Sequence, residues 1–130
     1  MGMNYVLDTC AILSLSGIAD RTVSPATLRD LAEADDLFVS PISLYEIGVK
    51  WKKGLLTLSL QPERYWNRCV KAYNLRSVPI EAPVLAKAFS LPDLHRDPFD
   101  RIIIAQAMLF SLPVVTFDVA FAPYGVQTLC

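Results

Sequence analysis

Three short stretches of the chain read as strands, Tyr5-Val6-Leu7, Leu37-Phe38-Val39 and Val114-Val115-Thr116-Phe117, and the first is apolar at consecutive rather than alternate positions. Alternation marks a strand with one wet face, whereas a continuous apolar run of this length fits a strand buried on both faces. That condition is met in parallel sheets covered by helices, and helical patterns do lie between the runs. Thr9 to Leu13 reads as the first turns of a helix after Asp8. Ser24-Pro25 is an N-cap with a first-turn proline and opens a helix through about Ala34. Ser40-Pro41 repeats that signal ahead of a helix to Lys53, stopped by Gly54. Residues 62–73 place Trp66, Val70 and Tyr73 on one helical face, 81–89 form a short helix, and 98–111 form the most apolar one. Further strands are expected at 77–79 and, as a short edge, at 125–127. The prediction is an α/β fold: one domain over residues 1–130, with a mainly parallel sheet of about four to five strands flanked by helices.

The 130 residues suit one such domain, and with 53% hydrophobic residues the chain can bury a core without disulfides or a structural metal. Cys10, Cys69 and Cys130 are widely spaced, and the single histidine, His95, cannot complete a zinc site with them. They read as free thiols in a reducing compartment. No signal-like stretch and no run of about 18 apolar residues is present, so the expectation is a cytoplasmic protein with no membrane association. The net charge of −1 means that any contact with nucleic acid must be local.

The chemistry lies in the acids. Two of the clearest strands, 5–7 and 114–117, each end in an aspartate, Asp8 and Asp118. Ligands of open parallel sheets bind outside the carboxyl ends of the strands. Aspartate is also common in turns, but two separate strands deliver it to the same edge. Glu46 sits among Ile42, Leu44, Ile47 and Val49, where a solvated face is hard to draw. Its i, i+4 pairing with Lys50 contributes only about 0.2–0.5 kcal/mol, too little to justify a carboxylate there.

The segment HRDPFDRIIIAQA, residues 95–107, has two readings. As helix punctuation, Asp97 is the N-cap, Pro98 the first helical residue and Asp100 the acid of a capping-box-like pattern. As a site, Asp100 enters the core near the sheet edge, because the helix it opens is apolar nearly all round. Asp8, Glu46, Asp100 and Asp118 would then share one crevice. Two unit charges about 5 Å apart repel by roughly 3 kcal/mol at an effective dielectric of 20. A hard divalent cation, Mg2+ or Mn2+, would relieve that repulsion.

The blocks YVLDTCAIL, SPISLYEIGVKWKKGLL, HRDPFDRIIIAQA and LPVVTFDVAFAPYGV, in this order from Tyr5 to Val126, resemble the conserved blocks of PIN-domain ribonucleases. They are most similar to the VapC-type toxins of type II toxin–antitoxin systems. The resemblance implies that Asp8, Glu46, Asp100 and Asp118 are both catalytic and metal-binding. Asp97 is a further metal candidate, assigned mainly to capping. Cys10 stands where histidine is frequent in the subgroup. The implied activity is metal-dependent endoribonuclease cleavage. Metal activates water against the phosphodiester, and Glu46 or Asp100 accepts the water's proton. The implied partners are an RNA substrate, a small cognate antitoxin that inserts an arginine or lysine among the acids, and a second copy of the chain in a homodimer.

Thr9 and Thr116 are candidates for hydroxyl bonds to a carboxylate or to metal-held water, or are simply strand-end turn residues. Lys50, Lys52 and Lys53 beside Trp51 suit either a helix C-terminus or RNA phosphates. Arg96 and Arg101 are phosphate contacts or partners of the acids, and His95 is assigned no role. Two alternatives stay open: a non-catalytic PIN-like binding module, and another acidic-site α/β phosphohydrolase. The haloacid-dehalogenase pattern wants a second aspartate two residues after the first, where Cys10 stands. A receiver domain wants a lysine after the last strand, where Val119 and Ala120 follow Asp118.

Overall fold

The computed structural model describes residues 2–130. Strands β1 (Asn4–Leu7), β2 (Asp36–Val39), β3 (Leu75–Ser77), β4 (Val114–Val115) and β5 (Thr128–Leu129) form one sheet in the order β3-β2-β1-β4-β5. Every neighbouring pair is parallel. Among the described residues six helices accompany it: α1 (Thr9–Leu15), α2 (Pro25–Ala32), α3 (Ile42–Lys52), α4 (Pro62–Ala72), α5 (Ala82–Ser90) and α6 (Pro98–Phe110).

The continuous apolar run of β1 has the expected cause. Tyr5 and Leu7 of β1 pack with Ile12, Ile47 and Trp66 on one face of the sheet. Val6, between them, points to the other face and packs with Ile103, Ile104 and Phe121. Alternate residues of one strand thus feed two cores, each closed by helices. α5 leans on α6 through Val84, Ala88 and Ala105. Polar Gln106 is fully buried there, its amide donating to the carbonyls of Val78 and Pro79 at 3.1 and 3.0 Å.

Several boundaries move, each for a local reason. α3 starts at Ile42, one residue later than the serine–proline signal implies, because Pro41 takes the capping position without a side-chain bond. Ser40 Oγ still accepts from the Ile42 N–H at 3.3 Å. The helix stops where expected. Gly54 adopts φ 72°, the Gly54 N–H reaches the Trp51 carbonyl and the Leu55 N–H reaches that of Lys50, a Schellman closure that glycine makes without strain. The third strand is Leu75–Ser77 rather than 77–79, since Leu75 pairs with Leu37 and supplies the core residue. The edge strand is Thr128–Leu129 rather than 125–127, because Gly125 has φ 88° and closes a 3-10 turn over Ala122–Tyr124.

The order of the strands locates the site. From β1 the chain builds outward through β2 to β3, then returns to place β4 on the other side of β1. The carboxyl ends of β1 and β4 therefore flank the point where the winding reverses, the place where open α/β sheets hold their ligands.

Candidate metal centre

Asp8 follows β1 directly and its backbone N–H continues the ladder to the Val115 carbonyl. Its side chain also caps α1. Oδ1 accepts from the Ala11 N–H at 2.8 Å, and Oδ2 accepts from the Thr116 hydroxyl at 2.5 Å. Thr116 in turn accepts from the Asp118 N–H at 3.0 Å, so one hydroxyl ties the acid of β1 to the acid beyond β4. Asp118 itself braces its turn by accepting from the Ala120 N–H at 2.8 Å.

Glu46 is 5% exposed, on the inner face of α3. Oε1 accepts from the Thr9 hydroxyl at 2.7 Å and Oε2 from Lys50 Nζ at 2.8 Å. A hydroxyl has one proton, so Thr9, having given it to Glu46, accepts from Ser43 at 2.8 Å. The i, i+4 lysine pair thus exists, but as half of a buried network. Both threonines lie on carboxylates.

The two readings of residues 95–107 are separated by one hydrogen bond. Asp97 caps α6, Oδ1 accepting from the N–H groups of Phe99 at 2.8 Å and Asp100 at 3.4 Å. A capping box would return the Asp100 carboxylate to the Asp97 N–H. That N–H instead donates to His95 Nδ1 at 3.2 Å. The carboxylate of Asp100 faces inward, where its Oδ2 lies 3.0 Å from His95 Nε2, and Asp118 Oδ2 lies 2.9 Å from the same nitrogen. Punctuation is the work of Asp97 alone.

A cavity of about 650 Å³ has Asp8, Thr9, Cys10, Glu46, Lys50, Asp97, Asp100 and Asp118 on its wall. The acids feel one another. Burial pushes the Asp8 carboxyl up to about 6, with Glu46 and Asp118 adding to the rise against the bonds from Thr116 and Ala11. Burial likewise pushes Asp100 up to about 7, reinforced by Asp97, Glu46 and Asp8 and opposed by His95. Partial desolvation and the Asp8 charge push the thiol of Cys10, an exposed residue at the cavity wall, up to about 11. Desolvation and mutual repulsion are the two penalties a hard divalent cation removes, and an all-oxygen carboxylate set is what magnesium or manganese prefers. The residues present fit such an ion.

The basic candidates divide. Lys50 stands on the cavity wall, whereas Lys52, Lys53 and Arg96 are exposed outside it. The Arg101 guanidinium turns into the fold: Nη1 donates to the carbonyls of Pro92 and His95, and Nη2 to those of Ala88 and Leu91, at 2.8–3.1 Å. It closes the open end of α5, which corrects its assignment as an RNA contact. Two groups escaped the sequence reading. His95 bridges two acids, and Arg21 places a cation on the wall, Nη1 donating to the Phe117 carbonyl at 3.2 Å with the guanidinium 5.4 Å over the Phe117 ring. Arg21 sits in a loop with no periodic signal.

The raised carboxyls give the metal-free protein an inverted pH dependence. Both acids hold protons more tightly in the folded chain than at the ordinary value of 3.8. The folded chain therefore carries more protons than the unfolded one between about pH 4 and 7, and stability falls as pH rises through that window. In EDTA the protein should lose roughly 2 kcal/mol between pH 5.5 and 7.5, since a tenfold change in proton affinity corresponds to about 1.4 kcal/mol. Thermal melts at the two pH values check this; a melting point that climbs toward pH 7.5 would mean the acids titrate as ordinary surface groups.

A parallel α/β sheet carrying a carboxylate-lined crevice at its switch point defines an acidic-site α/β protein. Its family follows from the sequence match: the PIN domain model covers residues 5–126, and the chain belongs to the PIN domain family. No curated protein sequence matches the chain. Among solved structures it is similar to FitAcB from Neisseria gonorrhoeae, at 20% identity and TM-score 0.62, with 98% of this chain and 97% of that one covered. VapBC2 from Rickettsia felis, bound to a DNA fragment from their promoter, matches at 19% identity and TM-score 0.65, covering 97% of each chain. VapBC-1 from nontypeable Haemophilus influenzae matches at 17% identity and TM-score 0.68, covering 97% of this chain and 96% of that one. Among the described residues no helix is long and apolar enough to cross a membrane.

Proposed function

We propose that the chain is a metal-dependent endoribonuclease and the toxin of a VapC-type toxin–antitoxin pair. The observation that carries this reading is the convergence of Asp8, Glu46, Asp100 and Asp118 on one cavity at the β1/β4 switch point of a PIN domain. PIN domains are generally nucleases. These four carboxylates would hold Mg2+ or Mn2+, which supplies Lewis acidity for activating water and neutralising charge on a scissile phosphate.

The chain's own residues supply the rest. Thr9 and Lys50 hold the Glu46 carboxylate aimed at the cavity, and Thr116 orients Asp8 while fixing the spacing to Asp118. Asp100 or Glu46, both on the cavity wall, is placed to accept the proton released by the attacking water. Lys50 and Arg21 on the wall give a polyanion its local attraction in a chain with net charge −1. The same crevice would accept an arginine or lysine from a small antitoxin, since a guanidinium binds carboxylates bidentately. A homodimer in the cytoplasm completes the reading.

The test is incubation of the purified chain with RNA, in manganese and in excess EDTA, beside a generic aryl phosphate. RNA should be cut only with metal and the aryl phosphate left intact. Undiminished cleavage in EDTA, or phosphate release with RNA untouched, would sink this assignment.

A further inference from the structure

The His95 ring lies against two of the site acids, and its position is set from every side. Its backbone N–H donates to the Tyr124 hydroxyl at 2.7 Å, and its carbonyl accepts from Arg101 at 3.0 Å. Tyr124 passes its own proton to the Pro92 carbonyl at 2.7 Å, so the loop before α6 is anchored at both ends of this residue. The ring meets Phe121 edge-on at 6.0 Å, and its side chain is only 14% exposed. So much framing for a residue with no effect on the site would be unexpected.

The tautomer follows from the bonds. The Asp97 N–H points at Nδ1, which must therefore accept, and an imidazole whose Nδ1 accepts carries its proton on Nε2. That proton is donated to Asp118 Oδ2 at 2.9 Å, and Asp100 Oδ2 lies 3.0 Å from the same nitrogen. One carboxylate comes from the first turn of α6 and the other from the turn after β4, and among the described residues no other basic side chain lies within ion-pair distance of both. We infer that His95 is a positioning residue of the metal centre: its Nε2, bonded to Asp118 and set against Asp100, clamps the two acids at one spacing and leaves their remaining lone pairs for the cation.

Direct ligation by the ring is the rival geometry, since Nε2 and one oxygen from each acid lie within 4.8 Å of one another. To ligate, Nε2 must surrender its proton to Nδ1, which would set an N–H against the Asp97 N–H. The clamp needs no such rearrangement. It also leaves the negative charge of the acids intact for the metal, which a lysine or arginine at this point would not. Hydrogen-bond donors behind ligating carboxylates typically carry 10–100-fold in metal affinity.

The inference rests on the metal-site reading above, and the experiment separates the two. Manganese binding is titrated by electron paramagnetic resonance on the wild type, His95→Ala and His95→Gln, with melting in EDTA to show that each is folded. The wild type should bind, His95→Ala should bind about 10–100-fold more weakly, and His95→Gln, whose amide N–H can reach the same oxygens, should recover most of the loss. Pulsed measurements on the wild type should show no directly bonded nitrogen. Equal or tighter binding by His95→Ala, failure of His95→Gln to recover, or a directly coordinated nitrogen overturns the clamp while leaving the metal site standing. A wild type that binds no manganese overturns both.

Discussion

Asp8→Asn should lower RNA cleavage by about 10²–10³ in kcat, the scale of removing one preorganised electrostatic group from an active site. The fold should survive, because the amide oxygen keeps the bond to the Ala11 N–H that caps α1, and asparagine is as good a cap as aspartate. The amide NH2 would face Thr116, whose hydroxyl now donates to Oδ2 and can turn to accept. What disappears is a charge held at 3% exposure and pushed up to about 6 by its burial. At pH 7.5 without metal the variant should therefore be at least as stable as the wild type, while losing turnover. Initial rates on one RNA, with melts of the same preparations in EDTA, measure both. Near-normal turnover would remove Asp8 from the site; lost turnover with a collapsed melt would make it a structural cap only.

That such a residue can be picked out from sequence has a physical basis. Asp8 and Asp118 are legible because a polar residue ending an apolar strand marks the sheet's carboxyl edge, and Glu46 because it interrupts an apolar helix face. The parallel sheet is legible because Tyr5-Val6-Leu7 must satisfy two cores at once. Strand order is not, since an apolar run does not say which neighbour it pairs with. Nor is the placement of β5, where a left-handed Gly125 turns an apparently extended segment into a 3-10 closure. His95 escaped for a different reason. Its role is set by backbone groups of Asp97, Arg101's reach and the Tyr124 hydroxyl, and none of these contacts leaves a spacing in the sequence. Arg101 misled for the converse reason: its charge suggested a ligand, but the carbonyls that consume it belong to the end of α5 and the loop that follows.

The aspartates of residues 95–107 make the second large prediction, because the structure gives them opposite work. Asp97 caps α6 through the Phe99 and Asp100 N–H groups, so Asp97→Ala should cost about 0.5–2 kcal/mol whether or not metal is present. Asp100 caps nothing. Its carboxyl is raised to about 7 by burial and by Asp97, Glu46 and Asp8, so Asp100→Asn removes a disfavoured charge and leaves the metal-free protein unchanged or more stable. With manganese the order reverses. At a hundred times its dissociation constant an ion stabilises the wild type by about 2.7 kcal/mol, on the order of 10 °C for a domain of this size. Asp97→Ala should keep most of that increment from its lower starting point, and Asp100→Asn should lose most of it. Melting curves of both variants in EDTA and in manganese decide the matter. Equal destabilisation of the two in EDTA, with the manganese increment intact in Asp100→Asn, would return Asp100 to the helix end. The cation would then be left with no ligand from α6, and the bridge from His95 to Asp118 would have nothing on its other side to hold.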